Sequence, residues 1–286
     1  MPSTRRKIII VSGISGFTGI KLCQALANQD FEIYAVKRNS NKSVKKIITN
    51  LHEINLEDFN QVREVLDTNE VFAVIHLATN YKRDEQPDAR DKIWNANFEL
   101  GKKLLEISIK SRAHFLHVES YLQFEEMEQS EYIKSKVAFS ALVDQERKRN
   151  SVGISSLIFF DNYGEGDKRH KILDLLIMAK KNGIEMKLEN PKGVVLLTSI
   201  NDVISATLEV LSEKQFGRFR INGTDKYILH ELAEFINDFP SEKILIPIKT
   251  LTYRAEHFPL LDTFCQTRSV VDYIKSRLTK ESIDAS

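Results

Sequence analysis

The sequence predicts an α/β protein: a doubly wound parallel sheet followed by a smaller, discontinuous C-terminal lobe. Three observations predict it. Short apolar runs alternate with helix-period segments through the first half of the chain, the pattern of a sheet covered by helices on both faces. The runs are almost continuously apolar rather than alternating, as doubly buried strands require. A glycine-rich loop, Gly13-Ile14-Ser15-Gly16-Phe17-Thr18-Gly19, joins the first run directly to the first helical segment.

In chain order, strands are expected at Lys7 to Val11, Phe31 to Val36, Leu51 to Ile54, Val71 to Leu77, His114 to Val118 and Ile154 to Phe160. Between them, apolar residues recur at helical spacing over Phe17 to Asn28, Leu56 to Asp67, Asp91 to Lys110 and Glu131 to Lys148. After Tyr163 the alternation fades, leaving helices at Lys171 to Asn182, Asn201 to Ser212 and near Leu229 to Asp238. Asp202 is expected to cap the second of these. The last residues, Lys280 to Ser286, are expected to fray.

The bulk composition bounds the function. At 286 residues the chain can bury a large core, and its 42% apolar content is that of an ordinary globule. Lys and Arg (41) nearly cancel Asp and Glu (40), which argues against a polyanion-binding surface and so against nucleic acid. The apolar stretch Ile8 to Val11 is too short for a signal peptide, and no segment approaches the roughly 18 apolar residues of a membrane span. Cys23 and Cys265 fit no metal-ligand spacing and no disulfide framework, so no metal is expected and a reduced cytoplasmic setting is the simplest reading. Cys23 falls in an apolar helix stripe with Leu22 and Leu26 and reads as a core thiol.

The glycine loop has the setting that a phosphate site needs. Glycines allow a tight turn and close backbone approach to a pyrophosphate, and the helix N-terminus presents free N–H groups with a partial positive charge. The end of the second strand then selects the dinucleotide. An acidic residue there would hold ribose hydroxyls, whereas a 2′-phosphate needs cations. The chain reads Tyr34-Ala35-Val36-Lys37-Arg38-Asn39-Ser40, with two cations and no acid. Lys37 and Arg38 therefore point to NADP(H), although the same residues also read as a solvated basic edge continued by Lys42, Lys45 and Lys46.

Tyr132 and Lys136 lie one helical turn apart, and Ser120 ends an apolar run twelve residues before Tyr132. A phenol with a pKa near 10 is a poor acid or base at neutral pH, and a cation at i+4 on the same helical face can lower it. Ser120 supplies a second hydrogen bond to the same substrate oxygen. A Tyr-x-x-x-Lys alone is commonly a surface pair. Its position after a nucleotide loop gives it meaning.

The Gly-x-x-Gly-x-x-Gly spacing resembles the extended short-chain dehydrogenase/reductase family, which implies a Rossmann-type fold. Several segments fall in that family's order over about residues 7 to 210: Val74-Ile75-His76-Leu77-Ala78-Thr79, Asn97 within Trp94-Asn95-Ala96-Asn97-Phe98, and Phe115 to Ser120. The resemblance implies Ser120, Tyr132, Lys136 and Asn97 as catalytic, with Asn97 ordering a relay water or supporting Lys136. It implies cofactor contacts from the glycine loop, from Leu77, Ala78 and Thr79 beneath the cofactor, and from Phe159 and Asn162. Asn55-Leu56 stands where the family often has Asp-Leu beside the adenine. The implied domains are 1–163 with about 197–225 for the cofactor, and 164–196 with 226–286 for the substrate. A homodimer through the Asp91 to Lys110 and Glu131 to Lys148 helices is also implied.

A narrower likeness is carried by His76-Leu77-Ala78-Thr79-Asn80-Tyr81, Ser120-Tyr121-Leu122-Gln123-Phe124 and Phe160-Asp161-Asn162-Tyr163-Gly164-Glu165-Gly166-Asp167-Lys168-Arg169. These resemble nucleotide-sugar 4-ketoreductases of the CDP-abequose and CDP-paratose synthase type, with departures at Lys82, Glu165 and His170. That likeness implies NADPH-dependent reduction of a nucleotide-activated deoxysugar for surface polysaccharide. Nucleotide-sugar dehydratases of the family follow the active-site Thr with Asp-Glu, and here Tyr121-Leu122 follows Ser120. Epimerases share Ser, Tyr and Lys, and a non-catalytic NADP(H)-binding sensor could share the fold. A sugar diphosphate needs cations, for which Lys168, Arg169, Lys171, Arg218, Arg220 and Arg254 are candidates, with Asn80 and Tyr81 beside the sugar.

Overall fold

The expected strand and helix alternation closes into a parallel sheet because each strand feeds two cores. In β1 (Lys7–Ser12), Ile9 and Val11 point to one face while Ile8 and Ile10 point to the other, and all four are fully buried. Burying each such side chain contributes about 1.5–3 kcal/mol. The structure, a computed structural model, describes residues 7–29, 31–36, 48, 50–81, 87–125, 130–221, 224–240, 245 and 269–279. Lys37, Arg38, Lys42, Lys45, Lys46, Lys82, Arg254, Cys265 and Lys280 to Ser286 lie outside the described residues.

After β1 come α1 (Phe17–Ala27), β2 (Glu32–Val36), β3 (Leu51–Ile54), α2 (Phe59–Thr68), β4 (Glu70–His76), α3 (Pro87–Trp94) and α4 (Leu100–Ser111). Then follow β5 (His114–Ser120), α5 (Glu131–Arg149), β6 (Ile154–Phe159), β7 (Asp161–Tyr163), α6 (Ile172–Asn182), β8 (Val194–Ser199), α7 (Ile200–Ser212), β9 (Gly217–Arg220), β10 (Thr224–Ile228), α8 (Leu229–Asn237) and α9 (Val270–Thr279). The seven-stranded sheet runs β3-β2-β1-β4-β5-β6-β9, and every pairing in it is parallel. The order reverses between β1 and β4. That crevice, at the carboxyl ends of the strands, is where such sheets bind ligands.

One core lies between the sheet and α1 with α7, around Leu22, Cys23, Val203 and Val210. Cys23 is fully buried, and burial pushes its thiol up to about 12, as expected of a core thiol. The opposite core packs Leu104 of α4 and Phe139 and Val143 of α5 on β4 and β5. A second sheet, β10-β8-β7, has its own core with α6, α8 and α9, centred on Ile177, Tyr227, Leu232 and Ile274. Among the described residues no helix is long and apolar enough to cross a membrane.

Several local expectations are corrected. The helix expected from Asp91 to Lys110 starts at Pro87 and is interrupted by a π turn over Asn95–Glu99, which turns Asn97 into the interior. α2 starts at Phe59 rather than Leu56 because the Asp58 carboxylate accepts from the N–H groups of Asn60 and Gln61, both at 3.1 Å. Ser199, not Asp202, caps α7, its hydroxyl accepting from the Asn201 N–H at 3.3 Å. Asp202 sits inside the helix, buried, with both carboxylate oxygens unpartnered among the described residues. Burial, reinforced by Asp225, raises its pKa to about 6. The strands β7, β9 and β10 and the helix α9 were not foreseen. Their second sheet pairs β8 with β10 antiparallel, so it does not follow the βα rhythm that predicted the first.

Candidate active site

The site assembles at the carboxyl ends of β1, β4 and β5. Gly13 follows β1 with φ +79°, and a Cβ there would stand 2.5 Å from the Ala78 nitrogen, so only glycine lets the loop meet the β4 end. Ser12, which the sequence reading passed over, locks that junction. Its hydroxyl bonds His76 Nδ1 at 2.8 Å and accepts from the Ala78 N–H at 3.3 Å, while its carbonyl accepts from the Leu77 N–H at 3.2 Å. α1 opens at Gly16, and its first-turn N–H groups receive no side-chain cap, beside exposed Ser15 and half-buried Phe17 and Thr18.

Thr79 and Asn80 continue from β4 and are held by Asn97. Its side-chain oxygen accepts from the Asn80 N–H at 2.7 Å and the Thr79 hydroxyl at 3.2 Å. Its amide donates to the Asn80 carbonyl at 3.3 Å and the Ser135 hydroxyl at 3.0 Å. Asn97 therefore clamps the loop to α5. These four bonds take up the hydrogen-bonding capacity of its side chain.

Tyr132 and Lys136 leave the first turns of α5, which Ser130 caps by accepting from the Ile133 N–H. The Tyr132 phenol lies beside the Ser120 and Thr79 hydroxyls, and Tyr81 sets its ring edge-on to Tyr132 at 4.7 Å. Burial raises the phenol pKa, opposed first by Ser120 and then by Thr79. This corrects the expectation that Lys136 is the chief lowering influence. The Lys136 ammonium instead donates to the Val118 carbonyl at 3.0 Å. Burial lowers its pKa to about 8, with Glu119 pulling the other way.

Ser120 is fixed by a capping box. Its hydroxyl accepts from the Leu122 N–H at 3.4 Å, and Gln123 Oε1 accepts from the Ser120 N–H at 3.2 Å. Tyr121 stacks on Phe160 at 5.4 Å and reaches Asp161 at 3.5 Å, so the position after Ser120 is aromatic and half-buried. Burial and Asp161 both raise its phenol pKa.

The candidate cations scatter. Lys171 donates to Asp161 at 3.2 Å, and Arg169 grips Asp167 and the Asn162 carbonyl with its guanidinium 4.8 Å from the Phe17 ring, bracing the nucleotide loop. Lys168 is exposed, and Arg220 ends β9 opposite Ile158. Arg218 leaves the set of phosphate ligands, because it is bound to Glu119 and Asp144 behind the sheet end. Phe159 and Asn162 flank the turn from β6 into β7, with Asn162 buried. Asn55 closes the turn after β3, its side-chain oxygen accepting from the Glu57 N–H at 3.1 Å, beside buried Leu56. Among the described residues no cluster of three or more His, Cys, Asp or Glu could hold a metal.

A doubly wound parallel sheet with a glycine loop at its switch point and Ser, Tyr and Lys at the β5 and α5 corner defines a Rossmann-type protein of the extended short-chain dehydrogenase/reductase class. The sequence pattern of the NAD dependent epimerase/dehydratase family matches residues 9–221, and the chain belongs to that family. It is similar to the CDP-abequose synthase of Salmonella muenchen, at 28% identity over 249 residues covering 80% of each chain. The CDP-abequose synthase of Yersinia pseudotuberculosis is 24% identical over 289 residues, covering 95% of this chain and 99% of its own length. Among solved structures, UDP-glucuronic acid 4-epimerase from Bacillus cereus, in complex with UDP-glucuronic acid and NAD, shares the fold with a TM-score of 0.67 at 19% identity, covering 80% of this chain and 82% of that one.

Proposed function

We propose that the chain is an NADPH-dependent reductase of the 4-keto group in a nucleotide-activated 4-keto-6-deoxy or 3,6-dideoxy hexose, serving surface polysaccharide synthesis. The observation that carries the reading is the Tyr132 phenol set against the Ser120 hydroxyl and kept protonated by burial, with Tyr121-Leu122 where an eliminating enzyme needs a second acid and base. The curated relatives named CDP-abequose synthase support the same substrate class. The cofactor fits: the uncapped start of α1 and the positive-φ Gly13 suit a dinucleotide pyrophosphate. Lys37 and Arg38 are assigned to the 2′-phosphate, Asn55 and Leu56 to the adenine edge, and Leu77, Ala78, Thr79, Phe159 and Asn162 to the nicotinamide half.

A bound reduced nicotinamide supplies the hydride. Ser120 donates to the ketone oxygen and fixes its distance and angle, an orientation effect. Tyr132 gives its proton to that oxygen as negative charge develops there. Ser120 and Thr79 beside the phenol oppose the rise that burial imposes, which favours release of its proton to the ketone oxygen. Lys136 presents a buried cation to the ribose and the developing charge. Tyr81 and Asn80 border the sugar, and Lys168, Arg169, Lys171 and Arg220 are the candidate cations for the diphosphate. The second sheet with α6, α8 and α9 forms the substrate lobe. Half-exposed Val137 on α5, with the outer faces of α4 and α5, forms a homodimer surface.

The test offers NADPH with CDP-, dTDP-, UDP- and GDP-4-keto-6-deoxysugars. Stoichiometric NADPH loss is expected; interconversion of sugars without loss makes the chain an epimerase, and tight NADPH binding without turnover makes it a sensor. Tyr132→Phe lowers kcat by about 10³-fold while NADPH affinity stays within about twofold. Equal turnover in that variant sinks the reading.

A further inference from the structure

Three consecutive residues end β5, and each holds a different part of the site. Val118 gives its carbonyl to Lys136, Ser120 reaches Tyr132, and Glu119 between them points into the protein, 1% exposed. A buried carboxylate is costly unless paired and hydrogen-bonded. Glu119 has both. Arg218 of β9 grips it with two bonds at 2.7 and 2.9 Å and is itself anchored to Asp144 at 2.9 Å. The Ser140 hydroxyl of α5 donates to Glu119 Oε1 at 2.7 Å and accepts from Gln123 Nε2 at 2.8 Å, and the same Gln123 side chain holds the Ser120 N–H. Arg218 also lies over the ring of Phe124, 5.8 Å from its centroid, at the end of the turn that Ser120 opens.

We propose that Glu119 is a positioning residue of the reaction: through Arg218, Ser140 and Gln123 it fixes the Ser120 turn, and its buried negative charge holds Lys136 as the cation that the cofactor ribose meets. The proposal rests on the reductase reading of Ser120, Tyr132 and Lys136. Each link carries a separate consequence. The hydrogen-bonded chain from Glu119 to the Ser120 N–H determines where the Ser120 hydroxyl points. The charge acts on Lys136 through the interior, where screening by water is weak. Around Lys136 stand Glu119 and His117 on β5, His76 on β4 and Tyr132 one turn back on α5, with Arg147 of α5 and Arg218 of β9 beyond them around His117. Both histidines are held neutral by burial, and Arg147 and Arg218 are tied to Asp144. Glu119 is the anion that opposes the burial of Lys136.

Two variants test the two links with the full chain. Glu119→Gln keeps the side chain's size and removes its charge. Lys136 then loses its proton at a lower pH, so the alkaline loss of NADPH affinity, read by nucleotide fluorescence between pH 6 and 10, moves about one pH unit toward acid. A merely structural role lowers affinity equally at every pH, and an unmoved alkaline limb in a folded Glu119→Gln overturns the proposal. Ser140→Ala leaves the ion pair and cuts the link to Gln123. It lowers kcat about tenfold with NADPH affinity and its pH profile unchanged, and unaltered kcat overturns the proposal even if Glu119→Gln does not fold. Because the affinity readout needs no sugar, it separates this proposal from the reductase reading: an epimerase shows the same shift without net NADPH consumption, and a wild-type chain that binds no NADPH defeats both.

Discussion

In the seven-stranded sheet burial pushes imidazoles toward their neutral form, whereas around the three-stranded sheet it pushes carboxylates that way. His76, His114 and His117 lie on the parallel strands, each bonded at 2.6–2.8 Å to a serine on a neighbouring strand: Ser12, Ser155 and Ser156. Burial lowers all three, His76 to about 3 and His114 to about 4. Asp174 on α6, Asp225 on β10 and Asp202 at the seam between the sheets are raised by burial, Asp202 to about 6. The two layers therefore meet acid with opposite signs. In the parallel sheet the unfolded chain takes up protons below pH 6.5 that the fold refuses, so stability present above that pH is lost as pH falls. Around the second sheet the fold takes up protons before the unfolded chain does, so stability is gained as pH falls through the raised values.

The largest effect expected is thus on the sheet. At pH 5, His76 and His114 each cost about 2 kcal/mol relative to pH 7. Segment-resolved hydrogen exchange at the two pH values, corrected for intrinsic rates, checks it. β4 and β5 lose protection at pH 5, and β8, β10 and α6 hold or gain it. A uniform loss over both layers breaks the comparison.

The same division separates what was legible in the sequence. All six strands expected between residues 7 and 160 form, within one residue at their ends except where β5 runs on two residues to Ser120, because local apolar runs bounded by helix patterns suffice for a parallel sheet. The glycine loop and the Ser120, Tyr132 and Lys136 corner were legible because their chemistry fixes residue type and spacing. The supports were not. Ser12, Glu119 and Ser140 sit on strand or helix positions that look ordinary, and their meaning lies in partners as far away as Arg218. β8 did carry a signal, the run Val194-Val195-Leu196-Leu197 after Gly193, and α9 shows apolar residues at Val270, Tyr273, Ile274 and Leu278. Both pack against pieces distant in sequence, and no local rhythm announces such pairings.

Glycines sharpen the contrast. Gly13→Ala places a Cβ against backbone and demands a positive φ of an L side chain, so unfolding free energy falls by about 3 kcal/mol and NADPH affinity falls with it. Gly183, which ends α6 at φ +64°, has open space around its missing Cβ. Gly183→Ala costs about 1 kcal/mol and leaves NADPH affinity unchanged. Denaturant melts with and without NADPH measure both, and equal losses at the two positions contradict the geometry.

The smallest expected effect concerns how the two layers are joined. The Tyr273 hydroxyl stands 3.2 Å from both the Gly164 carbonyl and an Asp174 carboxylate oxygen, and accepts from Arg277 at 2.7 Å. It ties α9 and α6 to the corner that follows Asn162. Tyr273→Phe keeps the ring and removes these bonds, for a stability loss of about 1 kcal/mol. Arg277 still reaches Asp174 at 3.3 Å, so the carboxylate is not left alone. The hydrogen bond from Tyr273 holds the Asp174 pKa down against burial, and without it Asp174 rises further and takes its proton earlier as pH falls. The variant's stability deficit is therefore largest at pH 7 and shrinks toward pH 5, while NADPH affinity stays unchanged and the KM for the sugar rises. A deficit that instead grows with acid would mean that Asp174 does not carry the opposite sign assigned to the second layer.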